Sequence, residues 1–129
     1  MPDQEISQDK IELVGAFREC GAILVAIGDE NRQRILTALI EKPGLRVEEI
    51  REYTDLSRPA VSHHLKILKD AEAISVLKLG TKNYYFPGCE SDIWRKLNAL
   101  TGEICSLAEK IRDNELDKRR MEIVNERYD

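Results

Sequence analysis

Little in this 129-residue sequence suits a disulfide scaffold, a membrane span or a β-sandwich. Cysteine is sparse, an odd three at the widely spread positions 20, 89 and 105, which does not make a disulfide framework. Aromatic residues are only 5% of the chain, with seven glycines and four prolines, and this composition favours helices over a sandwich or barrel. The longest apolar run, residues 22–27, is far too short to cross a bilayer. Residues 1–10 are acidic and polar rather than basic-then-apolar, so neither secretion nor a membrane partner is expected, and a cytoplasmic protein is. A glycine-rich phosphate loop, a His-Glu-x-x-His pattern and a cysteine beside a histidine are all missing, which argues against an enzyme and against a cofactor. What the chain does have is 42% hydrophobic residues, enough for a core, and 34% charged residues.

The net charge of −4 alone argues weakly against a nucleic-acid partner, but the charges are unevenly placed. Residues 1–30 carry two Lys/Arg against seven Asp/Glu, and residues 31–55 carry five of each. Residues 56–86 reverse the sign, with Arg58, Lys66, Lys69, Lys78 and Lys82 against Asp70 and Glu72. Residues 87–129 return to eight against ten. One basic segment between acidic flanks is the pattern of a single surface facing phosphate.

Periodicity orders the chain. Residues 1–8 show none and read as a flexible tail. Ile11, Val14, Phe17, Gly21, Leu24 and Ile27 recur at helical spacing, so a first helix is predicted over about residues 9–27, ended by Gly28. Asp29 can cap a second helix carrying Ile35, Leu36, Leu39 and Ile40. Pro43-Gly44 signals a turn, and a short third helix follows with Val47, Ile50 and Tyr53 inward. Ser57 is a good N-cap and Pro59 fits the first turn of a fourth helix, with Val61, Leu65 and Leu68 on one side. Ile74 to Leu79 and Tyr84-Tyr85-Phe86, around Gly80-Thr81-Lys82-Asn83, read as a β-hairpin ended by Pro87-Gly88. A long fifth helix over about residues 91–127 then carries Ile93, Trp94, Leu97, Leu100, Ile104, Leu107 and Ile111 on one stripe. The fold class is mainly α with a β-hairpin wing: a winged helix-turn-helix of order α-α-α-α-β-β-α, with a helix-turn-helix over residues 47–69 directly before the hairpin. Residues 9–129 form that domain after the 1–8 tail.

The residues also resemble a family. Ile27-Gly28-Asp29-Glu30-Asn31-Arg32-Gln33-Arg34-Ile35-Leu36 is similar to the opening motif of the ArsR/SmtB-type bacterial repressors. Leu56-Ser57-Arg58-Pro59-Ala60-Val61-Ser62-His63-His64-Leu65-Lys66-Ile67-Leu68 resembles their recognition helix, and Gly80 with Tyr84-Tyr85 their wing. The resemblance spans roughly residues 10–115. It implies a homodimeric, sequence-specific DNA-binding regulator that represses from an inverted-repeat operator on double-stranded DNA and is released by a small effector. Three positions depart from the family pattern: Arg51 for a small alanine, Asp55 for a turn glycine, and Glu72 for the glycine that ends the recognition helix.

With Val61, Leu65 and Leu68 inward, the outer side of the fourth helix presents its polar residues. Arg58 is long enough to bond a guanine edge bidentately, while Ser57, Ala60, Ser62 and His63 are short enough to let the helix approach a groove. Lys66, Lys69 and the wing's Lys82 would sit near phosphates. An ordinary solvated face would explain these charges but not the small, hydroxylated first turn.

His63 and His64 are adjacent, so they cannot form the i, i+4 face of a zinc site. Metal-sensing members use Cys-x-Cys near the third helix or Asp/His pairs on the last. Residues 47–54 lack cysteine and the last helix lacks histidine, so no metal site carries over. Thiol-responsive members pair a second-helix cysteine with one on the last helix; Cys105 is close to the latter position, but Thr37 stands at the former. Cys20 and Cys105 are therefore either apolar fillers or the basis of a thiol- or soft-metal-responsive regulator. The resemblance assigns the terminal helices to a dimer interface, with Phe17, Leu24, Trp94, Leu97, Leu100 and Ile104 as its apolar residues. A winged helix used as a protein-interaction module without specific DNA binding is the alternative from another class. The effector is unnamed by the sequence.

Overall fold

The computed structural model describes the chain path over residues 2–128, and side chains over residues 4–127 apart from 114. It divides into two compact units, residues 20–97 and a second built from the first 19 residues and those from Asn98 onward.

The unit of residues 20–97 holds α2 (Gly21–Ile27), α3 (Glu30–Glu41), α4 (Val47–Glu52), α5 (Arg58–Asp70), β1 (Ile74–Leu79), β2 (Lys82–Pro87) and the start of α6 (Ile93–Ile111). Its core is aliphatic: Ile23, Ile35, Leu39, Ile50, Val61, Leu65 and Leu68 are all 2% exposed or less. Val61, Leu65 and Leu68 are the predicted inner stripe of the helix after Ser57. Two helix starts follow from side-chain caps: Asp29 accepts from the Arg32 backbone N–H at 3.0 Å, and Ser57 accepts from that of Ala60 at 3.3 Å. At α4 the Glu49 carboxylate accepts from the Arg46 backbone N–H at 3.1 Å.

One inward assignment changes, and one apolar residue of the second helix faces out. Tyr53 is exposed rather than inward, because α4 ends at Glu52 and Tyr53 is its C-cap, where helical spacing no longer applies. Ile40 is exposed and Ala38 buried, so the inner face of α3 is Ile35, Leu36, Ala38 and Leu39.

The C-terminus of α5 shows what the missing glycine costs. Glu72 has φ +64°, the left-handed region, and its N–H donates to the Lys69 carbonyl while that of Ala73 donates to Leu68. This is a Schellman cap with glutamate at the glycine position. Asp55 does not share that fate: Glu72 is the sole non-glycine residue with positive φ among the described residues. Gly88 has a different necessity, since a Cβ there would run into the Glu72 carbonyl and the Ala73 backbone.

β1 and β2 pair antiparallel with Leu79 opposite Lys82 and Ile74 opposite Pro87. Lys82 and Asn83 thus lie in β2, and the turn is only Gly80-Thr81, with the positive φ at Gly80 that a two-residue hairpin needs. A third segment joins the sheet at one point. Leu45 bridges Tyr85, with the Tyr85 N–H donating to the Leu45 carbonyl at 2.9 Å and the Gly44 N–H to the Tyr85 carbonyl at 2.8 Å.

The second unit holds α1 (Pro2–Glu19), the rest of α6, a π-helical turn (Arg112–Leu116) and α7 (Asp117–Tyr128). The predicted tail differs here: residues 2–8 belong to α1, and Ile6 is buried at 3% exposure. The predicted first helix over 9–27 is in fact two, broken at Cys20 (φ −93°, ψ 7°) before Gly21, a poor helix former. The last helix is likewise interrupted, by the π-helical turn, before the exposed α7. Ion pairs link α1 to the far end of the chain: Lys110 to Asp9 at 2.9 Å and to Glu5 at 3.6 Å, and Lys10 to Glu115 at 3.0 Å. The hydrogen bond to Asp9 and the negative charge around it raise the Lys110 pKa above the ordinary lysine value. No helix is long and apolar enough to cross a membrane among the described residues.

Candidate nucleic-acid interface

Burying Val61, Leu65 and Leu68 forces the rest of α5 outward. Ser57, Arg58, Ser62, His63, Lys66 and Lys69 are all exposed, and Ala60 is half-buried in the first turn. Lys66 is held by Asp70 at 2.8 Å, an exposed i, i+4 pair that a phosphate could displace at small cost.

The hairpin brings a second set of charges to this helix. Ser62, Lys66 and Lys69 from α5 and Val76, Lys78, Asn83 and Tyr85 from the hairpin line one cleft, with Leu65 at its floor. Three ammonium groups and no carboxylate line it, and with Lys66 paired to Asp70 the balance stays positive. A smaller cleft is lined by Arg46, Val47, Glu48, Arg58, Thr81, Lys82 and Asn83. Five of the predicted residues thus fall into two groups, Ser62 with Lys66 and Lys69, and Arg58 with Lys82, while Ser57, Ala60 and His63 line neither cleft. Arg46, Lys78 and Asn83 were not singled out by sequence reasoning. Lys78 had a signal, as one of the five cations of the basic segment, but only the strand register places it beside α5.

The helix is fixed from behind by Arg32. Its Nε donates to the Ala26 carbonyl at 2.7 Å and its Nη2 to that of Val25 at 3.3 Å, while Nη1 lies 3.1 Å from His64 Nδ1. One guanidinium therefore closes the C-terminus of α2 and grips the middle of α5. The Arg32 backbone N–H donated to Asp29, with the guanidinium charge nearby, holds the Asp29 carboxyl below the usual carboxylate range. His64 is half-buried against the Arg32 side chain, and His63 is left exposed. Among the described residues no group of three or more potential metal ligands converges.

The cysteines are free: Cys20 is buried, and Cys89 and Cys105 are exposed. Of the residues expected at a dimer interface, Phe17 is exposed, and Leu24, Trp94, Leu97 and Ile104 are half-buried. Leu100 is 1% exposed in the single chain, so it packs the chain's own interior. The stripe that stays open is on α1, where Ile11, Val14 and Phe17 are 66%, 53% and 43% exposed.

Comparison with known proteins agrees with this fold. The family described as bacterial regulatory protein, arsR family, matches residues 29–76, from the cap of α3 into β1. An uncharacterized HTH-type transcriptional regulator of Methanocaldococcus jannaschii is 36% identical over 70 residues, covering 54% of this chain and 79% of that protein. The transcriptional repressor SdpR of Bacillus subtilis is 40% identical over 63 residues, covering 49% of this chain and 69% of SdpR. A crystal structure of an ArsR family transcriptional regulator superposes with a TM-score of 0.61 at 25% identity, covering 69% of this chain and 89% of that one. An ArsR-like transcriptional regulator from Rhodococcus sp. RHA1, at 23% identity and a TM-score of 0.62, shares the fold over 90% of this chain and 98% of its own.

Proposed function

Because this chain belongs to the arsR family of bacterial regulatory proteins, and so is a DNA-binding transcriptional regulator with a winged-helix fold and not an enzyme, we propose that it acts as a homodimeric repressor on an inverted-repeat operator. The observation that carries the proposal is the meeting of α5 and the wing around Ser62, Lys66, Lys69, Lys78 and Asn83. Helix α5 enters the major groove with Arg58, Ser62 and His63 at base edges, and Ser57 and Ala60 keep its first turn narrow enough to approach. Lys66, Lys69 and Lys82 take phosphates and supply affinity that falls with salt.

A dimer would present two such helices. The exposed Ile11, Val14 and Phe17 of α1 support a self-association surface, and a two-fold dimer matches half-sites about one helical turn apart, roughly 34–36 Å. The protein works in the cytoplasm, where the chromosome is, and an effector with unequal affinity for the bound and free states releases it.

The test is a mobility-shift measurement on the gene's own upstream DNA at two salt concentrations, against a scrambled duplex. A specific complex that weakens with salt yet keeps its preference is expected. Equal binding to both duplexes, or none, would overturn the proposal and favour a protein-interaction module.

A further inference from the structure

The two clefts at the interface differ in one respect. Among the described residues that line them, Glu48 is the single carboxylate, and it sits in the cleft shared by Arg46, Arg58 and Lys82. A negative charge there repels phosphate, so a purely electrostatic design would omit it. Its two oxygens are both engaged. Oε1 lies 3.3 Å from Arg58 Nη1 and Oε2 lies 3.1 Å from Arg51 Nη1.

Arg51 is the anchor of this chain of charges. The residue is half-buried, its Nε is buried with no hydrogen-bond partner, and its terminal Nη1 reaches Glu48 at the surface. Arg51, at a position where the resemblance expects a small residue, thus places a cation against the Glu48 carboxylate. Arg58, at the first position of α5, is 66% exposed and has no other ion-pair partner among the described residues. A long exposed arginine samples many rotamers and will take the nearest phosphate on any DNA. A guanidinium carries five N–H donors in a planar fork, so a carboxylate holding Nη1 leaves donors for a base.

We propose that Glu48 is a positioning residue for sequence readout: paired with both Arg51 and Arg58, it biases Arg58 toward the orientation that meets a base edge and away from phosphate. This rests on the assignment of Arg58 to base contact. Glu48 lowers affinity for DNA in general and raises the preference for the operator. Simple charge repulsion would lower both equally.

The experiment compares the full-length wild type, Glu48→Gln, Arg58→Ala and the double variant by fluorescence anisotropy. The probes are a duplex enriched from a randomised pool on the wild-type protein and a scrambled duplex of the same composition, over a salt series. Glu48→Gln is expected to bind the scrambled duplex more tightly, with a salt slope steeper by about one unit. Its preference for the enriched duplex should fall about 1.5- to fivefold, the range of an exposed ion pair. In the Arg58→Ala background the same change should leave the preference unmoved. If Glu48→Gln shifts both duplexes by one factor, the inference is overturned and Glu48 is only a charge. Loss of preference with and without Arg58 also overturns it, since Glu48 would then touch bases itself. If Arg58→Ala alone leaves the preference intact, the assignment of Arg58 fails first and the inference falls with it.

Discussion

Arg32 Nη1 stands 3.1 Å from His64 Nδ1, which ties the first turn of α3 to the middle of α5. A guanidinium can only donate, so this contact is a hydrogen bond in which His64 Nδ1 is the acceptor. The same guanidinium takes the carbonyls of Val25 and Ala26, so three elements are fixed by one side chain.

Arg32→Ala should therefore destabilise the fold by about 1–3 kcal/mol, since it leaves helix-end carbonyls and an imidazole unpaired together. Arg32→Lys should recover only part of this, because an ammonium cannot span the fork. Urea unfolding with an unchanged slope is the measurement. A loss below about 0.5 kcal/mol for Arg32→Ala would show that the network is incidental.

Arg58→Ala and Lys82→Ala should separate specificity from affinity. The first should cost about 1–3 kcal/mol on the enriched duplex and little on a scrambled one. The second should weaken both and reduce the salt slope by about one unit. Identical behaviour of the two variants would mean that helix and wing have been given the wrong roles.

Val14 is 53% exposed between Ile11 and Phe17 on α1, so a charge there leaves the single chain intact and burdens only a surface covered by a second copy. Val14→Asp should give folded monomers in sedimentation at micromolar concentration, and operator affinity should drop with the dimer. Leu100→Asp, by contrast, should fail to fold, because Leu100 is 1% exposed within one chain. A wild type that sediments as a monomer would refute the dimer outright.

Glu72 holds φ +64° at the end of α5, where a Cβ is costly. Glu72→Gly removes that strain, less the extra freedom glycine has when unfolded, for a net gain of about 0.5–1 kcal/mol. The melting temperature should rise by a few degrees. A fall would mean that the glutamate side chain makes up for its backbone.

Asp29 should contribute to acid unfolding. Its pKa is lowered by the Arg32 backbone N–H and charge, so its stabilisation is present above the unfolded-state value of about 3.9 and is lost as pH falls through the lower folded value. Asp29→Asn keeps an acceptor for the cap but cannot titrate. Its stability should fall less steeply than that of the wild type below about pH 4. Parallel acid limbs would show that the cap carries no pH dependence.

The parts of this molecule legible in sequence are those fixed by local chemistry. Ser57 and Asp29 declare helix starts, the Val61, Leu65 and Leu68 stripe fixes which side of α5 faces out, and Gly80 marks the hairpin turn. What stayed hidden depends on distant partners. The break at Cys20 has no proline to announce it, and the Leu45–Tyr85 bridge is one residue long. Periodicity put Leu100 in an apolar stripe but could not tell the protomer's own core from a shared face. The Glu48–Arg58 pair joins two helix starts that only the folded turn brings together.

That one-residue bridge also bears on solubility. A two-stranded ribbon presents an outer row of unmatched peptide groups, an open template on which another chain can grow a strand. At β2, Gly44 and Leu45 already use the N–H and carbonyl of Tyr85, and toward the tip the exposed Lys82 would have to be brought against any incoming strand. Lys78 guards the opposite strand in the same way. Replacing both lysines with valine should therefore shorten the shelf life of concentrated protein, as light scattering over days would record.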